Sequence, residues 1–416
     1  MALKYLYVPS GYKSGTAYGV LPNDSTADFD NFVRNTIATR TNKDGLLEAK
    51  GSNIPRIDYS DGGCPSLLLE RMRTNIAQYS EQINSWGKNP DTSSVIVRSE
   101  AEVSPDGNMT ADVISVLTQY DGVYTQGITT IVESDYSCSA YVKHIAGSSK
   151  IRFGVTKYFY STTPTNSTKY IIVDLSSGSI ISNEVSSFAE AKVVDAGNGW
   201  YRLIIEGMTI PVGGGGNSNM VIYSYEDTFT EFAVWGGQIE VGDYTSSYIP
   251  NLSNGTTTRN NDAGNFAGDF EFNSNEGVLE ARFKAFPVTS ETRRITLGEI
   301  SANNRVVLGY AYTGGVVKPY LLIVSPTGGD DSVFVSMPST FDIFDYNTYK
   351  LKFQSGNNQL KINGELIETD DAFKAHTFLF DAALSDVSFN SSRTAGSNIL
   401  YGGVQHIKIY DSVTDF

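Results

Sequence analysis

Short runs in which apolar and polar residues alternate, rather than long helical stripes, dominate this chain. The cleanest lies at 279–285, where Leu279, Ala281, Phe283 and Ala285 alternate with Glu280, Arg282 and Lys284. A period of two puts the first set on one face of a strand and the second on the other, so the segment predicts a half-buried antiparallel strand. The pattern returns in Tyr349, Leu351 and Phe353 against Lys350 and Lys352, in Leu360 and Ile362, and in Ile407 and Ile409 against His406, Lys408 and Tyr410. Asn363-Gly364 follows one of these runs, and its tolerance of positive φ predicts a two-residue hairpin turn.

Upstream, Ile151, Phe153 and Val155 alternate with Arg152 and Gly154, and Tyr170 to Leu175 is a largely apolar stretch closed by Ser176, Ser177 and Gly178. Both read as strands bounded by turns. Two segments carry helix signals instead. Ser25 and Asp28, followed by Phe29, Phe32, Val33, Thr36 and Ile37, have the cap and spacing of a short helix. Ser66 to Trp86, with Leu67, Leu68 and Leu69, favours a helix by propensity alone.

Composition agrees with sheet. Gly, Ser, Thr, Asn and Tyr are abundant and charged residues make up only 19%, as in turn-rich antiparallel proteins. A chain of 416 residues is too long for one ordinary core and suits two domains with an appended segment. The first sixty or so residues scatter Tyr5, Tyr7, Tyr12 and Tyr18 among Gly, Ser and Pro without a long periodic run. Such a piece cannot bury a core alone and is expected to lie on something else. The Asn-, Gly- and Thr-rich stretch 251–266 reads as a linker. The expected organisation is all-β: an extended arm at 1–62, then two antiparallel β-sandwiches at 63–252 and 253–416.

The formal net charge is −15 and no basic stripe runs along the sequence, which argues against nucleic acid and anionic membranes as partners. No run of eighteen apolar residues occurs, and the start MALKYLYVPSGYK lacks the apolar core and cleavage site of a secretory signal; a soluble protein made in the cytoplasm is expected. Cys64 and Cys138 read as two ordinary thiols.

Little catalytic chemistry is on offer. His144, His376 and His406 have no metal-binding spacing, and His406, on the polar side of a strand, reads as solvated. The run Gly213 to Gly216 lacks the Lys-Ser/Thr ending of a phosphate loop and reads as a hairpin loop. Gly328-Gly329-Asp330-Asp331 has oxygen ligands for a structural Ca²⁺, but a solvated turn is the more ordinary reading; no cofactor is expected. Glycosidase carboxylates are recognised by their separation in space, and the expectation is a non-enzyme. Trp200 and Trp235 read as core. Trp86, beside Gly87 and Pro90, reads as loop-borne; Tyr120 and Tyr124 flank Asp121-Gly122; Tyr310 and Tyr312 precede Gly314-Gly315. Aromatic faces near turns are candidates for stacking on sugar rings.

An ordered set of motifs adds a resemblance. It includes Ala38-Thr39-Arg40-Thr41-Asn42, Asp44-Gly45-Leu46-Leu47-Glu48, Pro55-Arg56-Ile57-Asp58-Tyr59, Leu67-Leu68-Leu69-Glu70-Arg71, Asp195-Ala196-Gly197-Asn198-Gly199-Trp200-Tyr201-Arg202, Trp235-Gly236-Gly237-Gln238-Ile239-Glu240 and Thr245-Ser246-Ser247-Tyr248-Ile249-Pro250. Across 36–262 the set resembles structural modules of tailed-bacteriophage tail, fibre and head-surface proteins, similar to family 4 and 9 carbohydrate-binding modules, which are jelly-roll sandwiches. The resemblance makes Ser66 to Trp86 a strand and a loop rather than a helix. Residues 265–416, through Tyr349-Lys350-Leu351-Lys352-Phe353, Leu360 to Glu365 and Gly402 to Tyr410, are similar to the laminin-G and concanavalin-like lectin sandwich.

The resemblance implies a fibre, spike or surface-decoration subunit of a virion, synthesised in the bacterial host cytoplasm. It would dock on other capsid or tail proteins through Tyr5, Tyr7, Tyr12 and Tyr18, and touch host-surface polysaccharide. A homo-oligomer is expected, a trimer before a dimer. The alternative is a purely architectural cementing or adaptor protein, and an open aromatic groove is the feature that would separate the two.

Overall fold

In the computed structural model, the alternation at 279–285 is the C-terminal part of a strand, Glu276–Ala285. The structure describes residues 3–13, 16–21, 32–90, 93–129, 134–161, 168–212, 216–272, 275–288, 291–299, 303–390, 398–414 and 416. Strand Glu276–Ala285 runs antiparallel between Asn347–Gln354 and Gly402–Tyr410. At the hairpin joining Gln359–Ile362 to Glu365–Ile367, Asn363 and Gly364 have φ of 50° and 89°, the positive values that the Asn-Gly pair predicts.

The chain divides into two compact units, and neither is one stretch of sequence. The first takes Met1–Ile37, Lys50–Arg71 and Asn260–Phe416; the second takes Ala38–Ala49 and Met72–Arg259. Both are antiparallel sandwiches, so the all-β expectation holds. Among the described residues the first unit has a nine-stranded and a six-stranded sheet. Leu279, Ala281, Phe283, Leu351 and Ile407 from one meet Ile295, Leu297, Leu308, Leu321 and Ile323 from the other.

The expected arm at 1–62 is instead part of this sandwich. Strand Leu3–Lys13 pairs with the last strand, Tyr5 opposite Ile409 and Tyr7 opposite Ile407, and Thr16–Leu21 pairs with Leu3–Lys13 in turn. Tyr5 and Tyr7 are fully buried in the core, so these rings are used up by packing. Tyr12 and Tyr18 lie on the same two strands, but their side chains are outside the described residues. The physical reason is an edge: without these strands much of Gly402–Tyr410 would expose unpaired backbone groups. The other half of that edge, Gly402 to Val404, pairs with Ser66–Leu69, which assigns the expected start of the middle domain to the first unit as well.

The helix expected at 25–37 is not formed where it is described. Residues 25–31 lie outside the described residues; Val33 makes a β-bridge to Ala263 and Phe32 packs in the core, so tertiary pairing overrides local propensity. In Ser66 to Trp86 the expected strand forms, Ser66–Leu69, but Arg73–Asn75, expected as loop, is a short strand paired with Thr257–Arg259; a 3₁₀ turn Ile83–Ser85 follows.

A buried ionic cluster ties together the points where the chain enters and leaves the first unit. Arg34 Nη1 donates to Asp262 Oδ1 at 2.9 Å and Nη2 to the Gly51 carbonyl at 2.7 Å. Arg56 donates to Glu70 Oε2 at 2.7 Å and to Asp262 Oδ2. The Glu70 amide also donates to Asp262 Oδ2, at 2.8 Å. Nothing about 251–266 is a free linker. Asn251 is buried in the second unit, its amide donating to the Ala77 and Gly255 carbonyls at 2.9 Å each, and the division falls between Arg259 and Asn260.

In the second unit, a sheet of eight and a sheet of six strands among the described residues enclose Cys138, Ala140, Val142, Phe153, Ile171, Ile205, Ile222 and Val234. Trp200 and Trp235 are buried as expected, their indole N–H groups donating to the Val103 carbonyl at 2.9 Å and to Thr110 Oγ1 at 3.1 Å. Cys64 and Cys138 are free thiols. Among the described residues no helix is long and apolar enough to cross a membrane.

His406 differs from its solvated reading. Its Nε2 lies 2.9 Å from Glu280 Oε1, a carboxylate that Lys350 and Lys408 also reach, at 3.0 and 2.8 Å. Burial alone would raise the Glu280 pKa; hydrogen bonds from His406, Lys408 and Lys350 outweigh it and hold the carboxyl at about 2. A carboxyl depressed on folding stabilises fully above its unfolded pKa and stops doing so as pH falls through its folded one. The melting temperature of the first unit is therefore expected to fall as pH drops from about 4.5 towards 2, and a Glu280→Gln variant to lose that part of the acid sensitivity. An unchanged acid limb in the variant would refute the linkage.

Candidate functional site

The six-stranded sheet of the second unit runs Ser179–Asn183, Thr168–Asp174, Lys150–Thr156, Met220–Ser224, Gly122–Tyr124, Gly87–Asn89. Ile151, Phe153, Val155, Ile171, Val173 and Ile222 point into the core. Strand alternation then turns Arg152, Gly154, Tyr170, Tyr223 and Tyr124 to the opposite face. Register brings them together: Arg152 lies opposite Tyr223 on one side and Ile172 on the other, Gly154 opposite Tyr170 and Val221, and Tyr124 opposite Gly87 and Val221.

Two of the glycines are needed for this surface. A Cβ at Gly87 would fall on the Tyr124 ring, and one at Gly154 would meet the Lys169 carbonyl and come 2.7 Å from the Tyr170 ring. With hydrogen in place of a side chain, the neighbouring rings lie down against the sheet.

Tyr120, from the turn before Gly122–Tyr124, completes a row. Its ring is 6.3 Å from Tyr170, and Tyr170 is 6.3 Å from Tyr223, with planes tilted by 55° and 53°. The buried Arg152 guanidinium lies under this row, 3.8 Å from the Tyr120 centroid, 4.7 Å from Tyr225 and 6.0 Å from Tyr170. It is held by donation from Nη1 to the Ser224 and Tyr225 carbonyls, at 2.6 and 3.2 Å.

Tyr120 is both strained and fixed. Its φ of 66° is in the left-handed region, which costs a non-glycine residue about 1–2 kcal/mol. Backbone bonds over-determine it: its N–H donates to the Ser224 carbonyl at 3.1 Å, and its carbonyl accepts from Asn89 Nδ2 at 2.8 Å. The ring stacks on Arg152, and the residue is still 44% exposed. Strain of this kind that persists in a fixed loop points to function.

Burial raises the pKa of the Tyr170 and Tyr223 hydroxyls, so both are protonated donors at neutral pH. The site thus has Tyr120 as its exposed ring, with half-buried Tyr170 and buried Tyr223 beside it and a buried cation behind. Such a surface can stack on the C–H face of a sugar ring and hydrogen-bond its hydroxyls.

Among the residues expected from sequence, Tyr120 and half-buried Tyr124 belong to this face. Trp86 does not: it is buried in the core, its indole N–H shared between the Gln78 and Tyr79 carbonyls at 3.2 Å each. Gly87 and Pro90 made it look loop-borne, but the side chain turns inward from the 3₁₀ turn that precedes it. Tyr310 and Tyr312 are in the first unit. Tyr310 is buried with its hydroxyl donating to the Tyr401 carbonyl; Tyr312 is 41% exposed.

Arg152, Tyr170, Tyr223 and Tyr225 were missed from sequence. The available signal was Arg152 and Gly154 on the outward phase of a strand whose other phase is wholly apolar.

Asp330 and Asp331 sit within strand Gly329–Phe334, opposite Val324 and Ile323. Among the described residues no group of three or more His, Cys, Asp or Glu is arranged to hold a metal ion. Residues 213–215 of the glycine run lie outside the described residues.

No protein-family profile matches the chain, and no curated protein matches it in sequence. Solved structures with partial likeness include the carbohydrate-binding module CBM40 of a Ruminococcus gnavus sialidase bound to α2,3-sialyllactose, at 18% identity over 34% of this chain and 79% of that one, TM-score 0.27. Domains LG4-5 of the mouse laminin α1 chain match at 8% identity over 72% and 92%, TM-score 0.24. A Trypanosoma rangeli sialidase in complex with sialic acid matches at 10% over 73% and 59%, TM-score 0.23. At such scores the functional reading has to rest on the side chains of this chain.

Proposed function

We propose that this chain is a non-enzymatic structural subunit of a tailed-phage particle, a fibre, spike or surface-decoration protein, that touches host-surface glycan through the tyrosine row of its second unit. The observation that carries the glycan part is Tyr120, whose ring stacks on Arg152 while the residue remains 44% exposed. The virion part is supported by the ordered motifs across 36–262. A cyclic oligomer would multiply weak single-site affinity through effective concentration. The exposed, strained Tyr120 favours glycan contact over purely architectural cementing, which has no use for a strained ring at the surface.

The test is titration of purified protein against host-surface polysaccharides by calorimetry, with Tyr120→Ala and Tyr120→Phe alongside. Removing the ring is expected to weaken binding roughly tenfold, from the loss of one aromatic stacking contact, while phenylalanine retains most of it. Absence of binding to every host glycan, or equal affinity in Tyr120→Ala, refutes the glycan reading. Failure to find the chain by mass spectrometry in purified particles refutes the virion reading separately.

A further inference from the structure

We infer that the outward face of the nine-stranded sheet in the first unit is a second binding surface, one that takes an acidic polysaccharide. This goes beyond the tyrosine row and stands independently of it, on another unit and on charge rather than stacking.

The face is assembled by register. Lys361, Lys350, Glu280 and Lys408 stand side by side across four neighbouring strands. One row along, Lys352 is opposite Val278; on the other side, Arg282 is opposite His406. All lie on the phase facing away from the core residues Leu279, Ala281, Leu351, Leu360 and Ile407. No basic stripe is visible along the sequence because each strand contributes only one or two of these cations.

Among the described residues of these rows, cations outnumber carboxylates. Buried Glu280 is shared by Lys350, Lys408 and His406. Arg282 donates to neutral partners, Gln405 Oε1 at 2.7 Å and Thr348 Oγ1 at 3.2 Å. Lys352 and Lys361 have no ion pair among the described residues; their ammonium groups lie 6.0 and 4.7 Å from the Phe416 ring. A second carboxylate, Glu276, accepts from the Gln354 amide at 2.8 Å and also acts electrostatically on Lys352, which is buried. The Lys350 and Lys408 side chains are 36% and 30% exposed. In a chain of net charge −15, this face has the opposite sign.

Neighbouring strands are about 4.8 Å apart, so cations within the row recur at intervals suited to a polymer with one carboxylate or sulfate on every ring or every second ring. A duplex nucleic acid, with one phosphate per about 1.7 Å of axis, is far denser in charge than such a glycan and is repelled at long range by the rest of the chain.

The experiment measures binding of the full chain to polygalacturonate, neutral dextran and a single-stranded oligothymidylate at low and high NaCl. Polygalacturonate is expected to bind at low salt and be released as salt rises, as screening requires, with dextran not retained by this face. A Lys350→Gln/Lys361→Gln/Lys408→Gln variant should weaken polygalacturonate binding by roughly tenfold or more, the sum of several exposed ion pairs. Lys361→Glu alone, at a half-exposed position, should weaken it in the same direction and guards against a folding defect in the triple variant. Tyr120→Ala should leave this binding unchanged, which keeps its fate distinct from that of the tyrosine row. Equal binding by the lysine variants, salt-independent binding, or preference for the oligothymidylate would overturn the inference.

Discussion

Replacing Asp262 with alanine is expected to destabilise the first unit by about 3–5 kcal/mol, the usual effect of removing one partner from a buried ionic group. Asp262 is fully buried and receives Arg34, Arg56 and the Glu70 amide. Without it, Arg34 and Arg56 each lose a buried carboxylate, while Arg56 still engages Glu70 at 2.7 Å. The damage would also be topological. Arg34, Arg56, Glu70 and Asp262 lie close to the four places where the chain leaves or re-enters the unit, so the cluster holds three separate segments in one core. Asp262→Asn should cost nearly as much, since it turns an acceptor oxygen into a donor facing arginine. A two-unit protein need not unfold in one step, so the measurement is hydrogen exchange under urea. Protection of strand Gly402–Tyr410 should collapse in the variant, while that of Trp200–Thr209 in the second unit persists. Equal protection of both strands would mean that the cluster holds nothing together.

Gly154→Ala is expected to cost about 2–3 kcal/mol, at the upper end of what overpacking usually does, and to abolish most of the glycan affinity of the tyrosine row. The added methyl meets the Lys169 carbonyl in the adjacent strand and lies 2.7 Å from the Tyr170 ring. A backbone oxygen in a paired strand cannot step aside, and the ring can do so only by rising off the sheet. That would also disturb Tyr120 and Tyr223, its neighbours at 6.3 Å. A double-mutant cycle with Tyr170→Ala separates the two effects: removing the ring should recover the part of the loss due to ring displacement and leave the part due to the backbone. A Gly154→Ala protein as stable as the parent, with unchanged polysaccharide binding, would show that the rings do not depend on the glycine beneath them.

Of the site, Tyr120 and Tyr124 were legible because a turn signal, Asp121-Gly122, lies between them, and turn chemistry is local. Trp86 misled for the same reason: Gly87 and Pro90 mark an irregular segment but do not say which way the preceding side chain points. Arg152 has no sequence neighbour that suggests stacking; Tyr120, Tyr170 and Tyr225 reach it from three separate parts of the chain.

What the sequence by itself determined was the all-β character, the half-buried strands at 279–285 and 349–353, and the hairpin at Asn363-Gly364. Each depends on a period of two or on the φ preference of a dipeptide, both of which are complete within a few residues. The tertiary structure alone decided that Leu3–Lys13 closes the sheet beside Gly402–Tyr410, that the two units interleave along the chain, and which side chains share a face. Those outcomes depend on register between strands up to several hundred residues apart, and alternation records which way a residue faces without recording what lies beside it.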